Sequence, residues 1–336
     1  MPDRSKFYDP TNAPYYNPSV ERRVVLITGG NTGIGWYTVL HLYLHGYVIY
    51  MAGRTKSKVL KAFEDIKKEA ATRILSEKAE EKYHVGELHY IYIDLLDLSS
   101  VTKAADEFQQ QEQRLDILIN NAGVMGVPYQ ITKDDYELQY QVNFVAHFLF
   151  TCKLIPSLLK VAQDGQLPRI VVLSSIGHNF EFKHYKPEQH KLKGFPDSVY
   201  TWIRYGIAKT ADIHFVKELS KKYPEILSLA VHPGIVLGTE LYNHWRQIPV
   251  VKYGSNALFG ISNKLIGVTN EEGCLSTLRA ALDPKLTLEN NGIYIATGGV
   301  VEKPSRIASN EKYCKETWDW NVEELNKRGF NVEDDR

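Results

Sequence analysis

Three cysteines in 336 residues, Cys152, Cys274 and Cys314, are too few and too scattered for a disulfide framework, and they share no zinc-binding spacing. A reducing compartment follows, and no metal ligand set is expected. Charge of either sign is also not in surplus. The 40 Lys plus Arg match the 40 Asp plus Glu, whereas a nucleic-acid binder carries a basic excess. No nucleic-acid partner is expected. Charged residues are missing altogether from Val24 to Gly53. Length alone would allow a membrane span there, but Gly29, Gly30, Gly33, Gly35 and Gly46 interrupt the stretch, and its pattern turns from strand to helix and back to strand. It reads as folded core. The opening segment, MPDRSKFYDPTNAPYYNPSVERR, lacks the apolar centre of a signal peptide. Residues 1–22 are therefore expected to be an arm, wrapped over the surface or mobile, on a cytoplasmic protein.

What is present is the composition of an ordinary globular chain, 43% apolar and 24% charged. The run Arg23–Ile27 predicts a strand, Trp36–His45 a helix and Tyr47–Ala52 a second strand, together one βαβ unit. An amphipathic helix is expected over 56–82, with EKAEEK as its solvated end. Strands near 88–93, 115–120, 169–174, 226–231 and 292–296 alternate with helices near 99–112, 135–161 and 201–222. Strict alternation implies a single α/β, Rossmann-type doubly wound domain of about seven parallel strands with helices on both faces. No linker or repeat divides the chain. The domain is placed at 23–300, with a variable substrate lid at about 238–270 and a C-terminal extension at 301–336.

Two motifs carry chemistry. Thr28-Gly-Gly-Asn-Thr-Gly-Ile-Gly35 joins the first strand to the first helix, where backbone N–H groups and the helix dipole receive a pyrophosphate. Gly29 serves the turn, Gly33 the approach of the phosphate and Gly35 the packing of helix on strand, with Asn31, Thr32 and Ile34 between them. At the end of the second strand, where NAD-binding chains carry an acidic residue, stands Arg54. A guanidinium there favours a 2′-phosphate, hence NADP(H). The second motif is Tyr205 and Lys209, spaced to leave one helix face. Making a phenol ionise near neutrality takes about 4 kcal/mol of phenolate stabilisation, which an adjacent ammonium can supply. Tyr129 and Lys133 share the spacing, but Tyr129 follows Pro128 in a loop. Tyr205 follows a strand that ends in Ser174 and Ser175, at the carboxyl end where such sheets bind ligands. His178 is read as a loop residue near the site, His232 as a packed strand end, Cys152 and Met125 as core and pocket lining, and Asp116 as a turn or helix contact before the fourth strand.

Together with Asp94-Leu95, Asn120-Asn-Ala-Gly123, Asn143 and His232-Pro-Gly234, these motifs resemble the short-chain dehydrogenases/reductases over residues 22–300. The likeness is to their retinol-dehydrogenase-like branch, which includes fungal lipid-droplet oxidoreductases. The resemblance implies that Tyr205 is the acid/base, that Lys209 binds nicotinamide ribose and depresses the phenol, and that Ser175 holds the substrate oxygen. It further implies that Asn143 holds a relay water, that Asp94 meets the adenine amino group beside Leu95, and that Asn121, Ala122 and Gly123 floor the nucleotide. Pro233, Gly234, Val236 and Thr239 would approach the nicotinamide. Phe144-Val-Ala-His147 departs from the family's glycine-containing pattern, and Pro233–Thr239 is one residue longer than usual.

Phe180, Phe182, Tyr200, Trp202, Tyr242 and Trp245 lie in the two variable segments and favour a lipophilic alcohol or carbonyl, of retinoid, sterol or fatty-aldehyde type. Leu241–Val268 mixes Trp245, Arg246, Lys252 and Lys264 with apolar residues, as does a segment lying on endoplasmic reticulum or a lipid droplet. A homodimer is compatible with the resemblance. The competing reading is an NADP(H)-binding scaffold or redox sensor at such a surface.

Overall fold

The structure, a computed structural model, describes residues 3–77, 83–236 and 267–332. The apolar runs at 24–28, 48–53, 117–120, 169–173 and 227–231 become strands buried on both faces, while the edge strand at 87–92 is mostly half-buried. The order is β1 (Val24–Thr28), α1 (Gly33–Leu44), β2 (Val48–Gly53), α2 (Lys56–Glu77), β3 (Glu87–Tyr92), α3 (Leu98–Gln111) and β4 (Ile117–Asn120). It continues with α4 (Leu138–Gln163), β5 (Arg169–Leu173), α5 (Asp197–Lys222), β6 (Leu227–Val231), α6 (Asn270–Leu282), β7 (Tyr294–Ile295), β8 (Val301–Glu302) and α7 (Glu311–Lys327). The sheet order is β3-β2-β1-β4-β5-β6-β7-β8, parallel except for the antiparallel β7–β8 pair. The expected seven parallel strands are there; the eighth, two exposed residues long, leaves no periodic trace in the sequence.

Successive residues of β1 point to opposite layers. Val24 and Leu26 join the core shared with α3, α4, α5 and α7, and Val25 and Ile27 the core shared with α1, α2 and α6. Strand order reverses about β1, with β2 on one side and β4 on the other. This opens a crevice at the carboxyl ends of the strands, where such sheets bind ligands.

Three details depart from the sequence reading. Helix α5 begins at Asp197 rather than near 201, so Tyr205 stands in its third turn. Helix α4 begins at Leu138, where the Glu137 carboxylate accepts the Tyr140 N–H at 2.9 Å, and winds as a π-helical turn over Gln141–Val145 before continuing. It is long and apolar enough to cross a membrane, but its apolar window is 78% buried inside the protein. That apolarity serves the core.

The N-terminal arm lies across the helical layer: the Tyr8 N–H donates to the Gly298 carbonyl at 2.7 Å and the Tyr16 N–H to the His45 carbonyl at 2.9 Å. At the other terminus α7 inserts Trp318 against Phe148 and Phe215.

Candidate active site

At the carboxyl ends of β1, β4 and β5 lies a cavity of about 620 Å³. One wall is the β1–α1 loop, contributing Gly29, Asn31, Thr32, Gly33, Ile34 and Gly35. Thr32 makes no side-chain cap, so the first-turn N–H groups of α1 are left for a ligand. A Cβ at Gly35 would lie 2.3 Å from the Gly29 carbonyl, which is why helix and strand can meet this closely. Asn121, Ala122 and Gly123 form the floor. They are pinned by Thr28, whose hydroxyl oxygen accepts the N–H groups of Asn121 and Ala122, both at 3.0 Å. With those two bonds accepted, the Thr28 hydroxyl proton goes to His147 Nε2 at 2.9 Å, and His147 Nδ1–H donates to the Asn143 carbonyl at 3.1 Å. Burial pushes the His147 pKa down to about 4, keeping this ring neutral.

Asn143 sits in the π-helical turn, and its carboxamide grips the next segment twice. Oδ1 accepts the Val124 N–H at 2.7 Å, and Nδ2 donates to the Val124 carbonyl at 2.9 Å. The distortion of α4 thereby fixes the loop after Gly123.

The opposite wall comes from β5 and α5. Ser174 and Ser175 separate by function: the Ser174 hydroxyl donates to the Lys209 carbonyl at 2.7 Å, tying helix to strand. Ser175 accepts the Gly177 N–H at 3.0 Å and stands close enough to the Tyr205 hydroxyl to favour its ionisation. Gly177 makes room for the phenol, because a Cβ there would lie 2.5 Å from the Tyr205 ring. Burial pushes the Tyr205 pKa up to about 12, with Ser175 pulling it down and Asp212 adding to the rise. Tyr129, of the duplicate motif, lies outside the cavity, its N–H on Asp197 and its ring beneath Arg204.

Lys209 lines the same cavity, but its ammonium has two other partners: the Leu173 carbonyl at 2.6 Å and Asp212 Oδ2 at 2.8 Å. Its expected role of acidifying the phenol is thus opposed by a carboxylate that the motif reading missed. The i, i+3 spacing of Lys209 and Asp212 on one helix was the available signal.

Pro233, Gly234 and Val236 also line the cavity, as do Met125, Phe180 and Trp202. Phe182, Tyr200, Arg54, Asp94 and Leu95 do not. Arg54 is exposed just beyond β2. Asp94 Oδ1 accepts the Leu96 N–H at 3.0 Å, and the Leu95 carbonyl accepts Gln141 Nε2 at 3.2 Å. Thr239, Tyr242, Trp245, Arg246, Lys252, Lys264 and most of the expected lid lie outside the described residues. His178 is buried, with Nδ1 against the Ser175 carbonyl and Nε2 accepting the Ser305 N–H at 3.1 Å. His232 is buried and accepts the Gly234 N–H at 3.0 Å. Cys152 packs against the core. Asp116, expected as a turn or helix contact, is an anchor of β1 instead, accepting the Val24 N–H at 2.8 Å and pairing with Arg23 and Arg114.

Comparison with known proteins decides what this arrangement is. The profile of the short chain dehydrogenases matches residues 23–187. A short-chain dehydrogenase/reductase of Aspergillus calidoustus, drtF, is 31% identical over 94% of this chain and 97% of its own length. The chain is a short-chain dehydrogenase/reductase. Retinol dehydrogenase 12 of the mouse is 37% identical, over 66% of this chain and 64% of its own. A crystal structure of a protein from Mycobacterium paratuberculosis matches with a TM-score of 0.64 at 24% identity, covering 96% of this chain and 98% of that one. The family binds a nicotinamide cofactor. The open α1 terminus, the Gly35 contact that a side chain would block, and the facing Tyr205 and Lys209 fit such a group.

Proposed function

We propose that this oxidoreductase uses NADP(H) to interconvert a lipophilic alcohol and its carbonyl, of retinoid, sterol or fatty-aldehyde type. The observation that carries the reading is one cavity walled by the glycine loop and by Ser175, Tyr205, Lys209 and Asn143. Lys209 is the one charged side chain among its described lining residues, and Val124, Met125, Val127, Ile176, Phe180 and Trp202 make the substrate side apolar. The name of the mouse relative, a retinol dehydrogenase, supports the same substrate class.

The roles are those that the family resemblance implies. The N–H groups of residues 29–35 would receive the pyrophosphate, Asn121, Ala122 and Gly123 would floor the nucleotide, and Pro233, Gly234 and Val236 would border the nicotinamide. Asp94 and Leu95 are assigned to the adenine end and Arg54 to the 2′-phosphate, all beyond the wall seen in this structure. When bound, the cofactor supplies or accepts the hydride. Ser175 Oγ holds the substrate oxygen. Tyr205 gives its hydroxyl proton to that oxygen in reduction and takes it back in oxidation. Lys209, with two of three ammonium donors committed, keeps one for the ribose hydroxyls. Asn143 holds a water through which Lys209 and the phenol exchange protons with solvent.

The test is oxidation of NADPH and NADH against retinals, sterones and fatty aldehydes, with Tyr205→Phe as control. A loss of about 10²–10⁴-fold in the variant is expected; equal consumption by both overturns the acid/base assignment. If neither turns anything over while both hold NADPH, the chain is a binding module. Arg54→Asp should weaken NADPH far more than NADH, and equal weakening removes the basis for NADP(H). Cytoplasmic residence with peripheral attachment to endoplasmic reticulum or lipid droplets, and a homodimer, belong to the same proposal. Flotation with liposomes tests the attachment, a wholly soluble protein refuting it, and light scattering tests the dimer.

A further inference from the structure

Two buried groups of opposite charge stand on consecutive turns of α5, on the helix face that also carries Tyr205. Lys209 and Asp212 are both nearly inaccessible, and Nζ lies 2.8 Å from Oδ2. The other carboxylate oxygen, Oδ1, is buried without a hydrogen-bond partner, so the carboxylate is committed to Lys209. With the Leu173 carbonyl at 2.6 Å, this fixes the ammonium at the end of β5 and sets its charge against a countercharge. Burial is the main cause that keeps the phenol protonated, and Asp212 adds to it.

The remaining groups about Tyr205 do not undo this. Ser175 is uncharged. His178 and, further round, His232 and Tyr294 close the far side, and His147 lies towards Lys209. Burial lowers the pKa of all three histidines, so they carry no charge where a phenol titrates. Tyr294 is itself harder to ionise than a free phenol. Burial raises the Asp212 pKa above the ordinary carboxylate range while leaving it far more acidic than a phenol.

We propose that Asp212 is a positioning residue that anchors and countercharges Lys209, holding Tyr205 in its proton-donating form and setting this site for carbonyl reduction near neutral pH. The proposal rests on the reading of Tyr205 as acid/base. In reduction the carbonyl carbon accepts hydride and its oxygen accepts the Tyr205 proton, so the protonated phenol is the required reactant. Oxidation of the alcohol requires the phenolate, and Asp212 moves that direction to alkaline pH.

The experiment follows the ζ-carbons of ¹³C-labelled tyrosines by NMR titration of the whole chain, with and without NADP⁺. Tyr205→Phe assigns the resonance. In the unliganded wild type, Tyr205 should titrate above an ordinary phenol, about 10. A midpoint at or below about 9 shows an uncancelled ammonium and overturns the proposal even if no variant folds. Asp212→Asn should lower the midpoint by about one pH unit, while Asp212→Glu, which keeps the charge, should restore it. An unchanged or raised midpoint in Asp212→Asn also overturns it. If Tyr205→Phe keeps full turnover, the acid/base reading itself fails; if that variant is inactive yet Asp212→Asn titrates as wild type, only the role of Asp212 fails.

Discussion

At the amino end of β5, Arg169 donates to the carbonyls of Ala280 and Asp283 at 2.9 Å and of Leu286 at 3.4 Å. At the carboxyl end, the Leu173 carbonyl accepts Lys209 Nζ, whose second bond goes to Asp212. Both cations are buried, and both ends border a cavity: about 330 Å³ beside Arg23, Tyr47, Asp116 and Arg169, and about 620 Å³ beside Lys209 and Tyr205. The ends even share residue types, each pairing a buried cation with tyrosine and aspartate. What separates them is how the cation's donors are spent. Arg169 closes the C-terminal end of α6, where unsatisfied carbonyls and the helix dipole call for a cation. Lys209 retains a donor facing a cavity walled by a glycine loop and a serine. A buried cation beside a tyrosine is therefore no mark of catalysis until its donors are counted.

Exchanging each cation for methionine sharpens the contrast most. Lys209→Met should lower turnover about 10²–10⁴-fold. Arg169→Met should leave cofactor affinity and turnover per folded molecule unchanged, while costing about 2–4 kcal/mol of stability through carbonyls left without donors. Denaturant melts and cofactor titrations on both variants check this. Loss of cofactor binding in Arg169→Met would erase the distinction between the two ends.

Glycines give a smaller effect at each end. Gly35→Ala places a methyl 2.3 Å from the Gly29 carbonyl, so the loop that receives the cofactor must shift. Cofactor affinity should fall about 10–100-fold, the equivalent of about 1.4–2.8 kcal/mol. Gly165 lines the other cavity with nothing within 4 Å of an added Cβ, but its φ is +73°. Gly165→Ala should cost about 1–2 kcal/mol of stability and leave cofactor affinity untouched. Equal cofactor loss in both would show that the far end reaches the site.

The difference between the ends was only half legible in the sequence. The order of elements was readable because βαβ alternation writes itself in apolar runs, Tyr205 and the glycine loop because their spacing places them on a helix face and at a strand end, and Asn143 only through the family resemblance. Asp212 was not, because a lone aspartate in a helix gives no sign of burial until the layer covering it is known. Nor was the anchoring by Asp116, whose partners Arg23 and Arg114 come from separate chain segments or depend on burial. The π-helical turn at Asn143 was hidden because helical periodicity survives one inserted residue. Ser175 was preferred to Ser174 only through the resemblance, since a single residue along a strand reverses the face on which a side chain lies.

The smallest effect concerns acid, and it too falls on one end. Burial lowers the pKa of His147 and His232, both at the carboxyl end, to about 4, and does the same to His214 under α7. Unfolded histidine titrates near 6.5, so between pH 6.5 and about 4 the unfolded chain holds protons that the native one refuses. Stability from these residues is complete above 6.5 and is lost as pH falls through that window, by at most about 1.4 kcal/mol per pH unit per histidine. Glu137 works in the opposite sense. Burial raises it to about 7, so from pH 7 to 4.5 the native chain binds the extra proton and gains stability on acidification. Comparing variants at each pH cancels Glu137. His147→Gln should flatten the acid slope by close to one histidine's share in denaturant melts at pH 7, 6 and 5, whereas Arg169→Met should lower stability evenly across the series. A slope unchanged by His147→Gln would mean that this ring is already protonated in the native state, and the Thr28 and Asn143 bonds assigned to its neutral form would have to be redrawn.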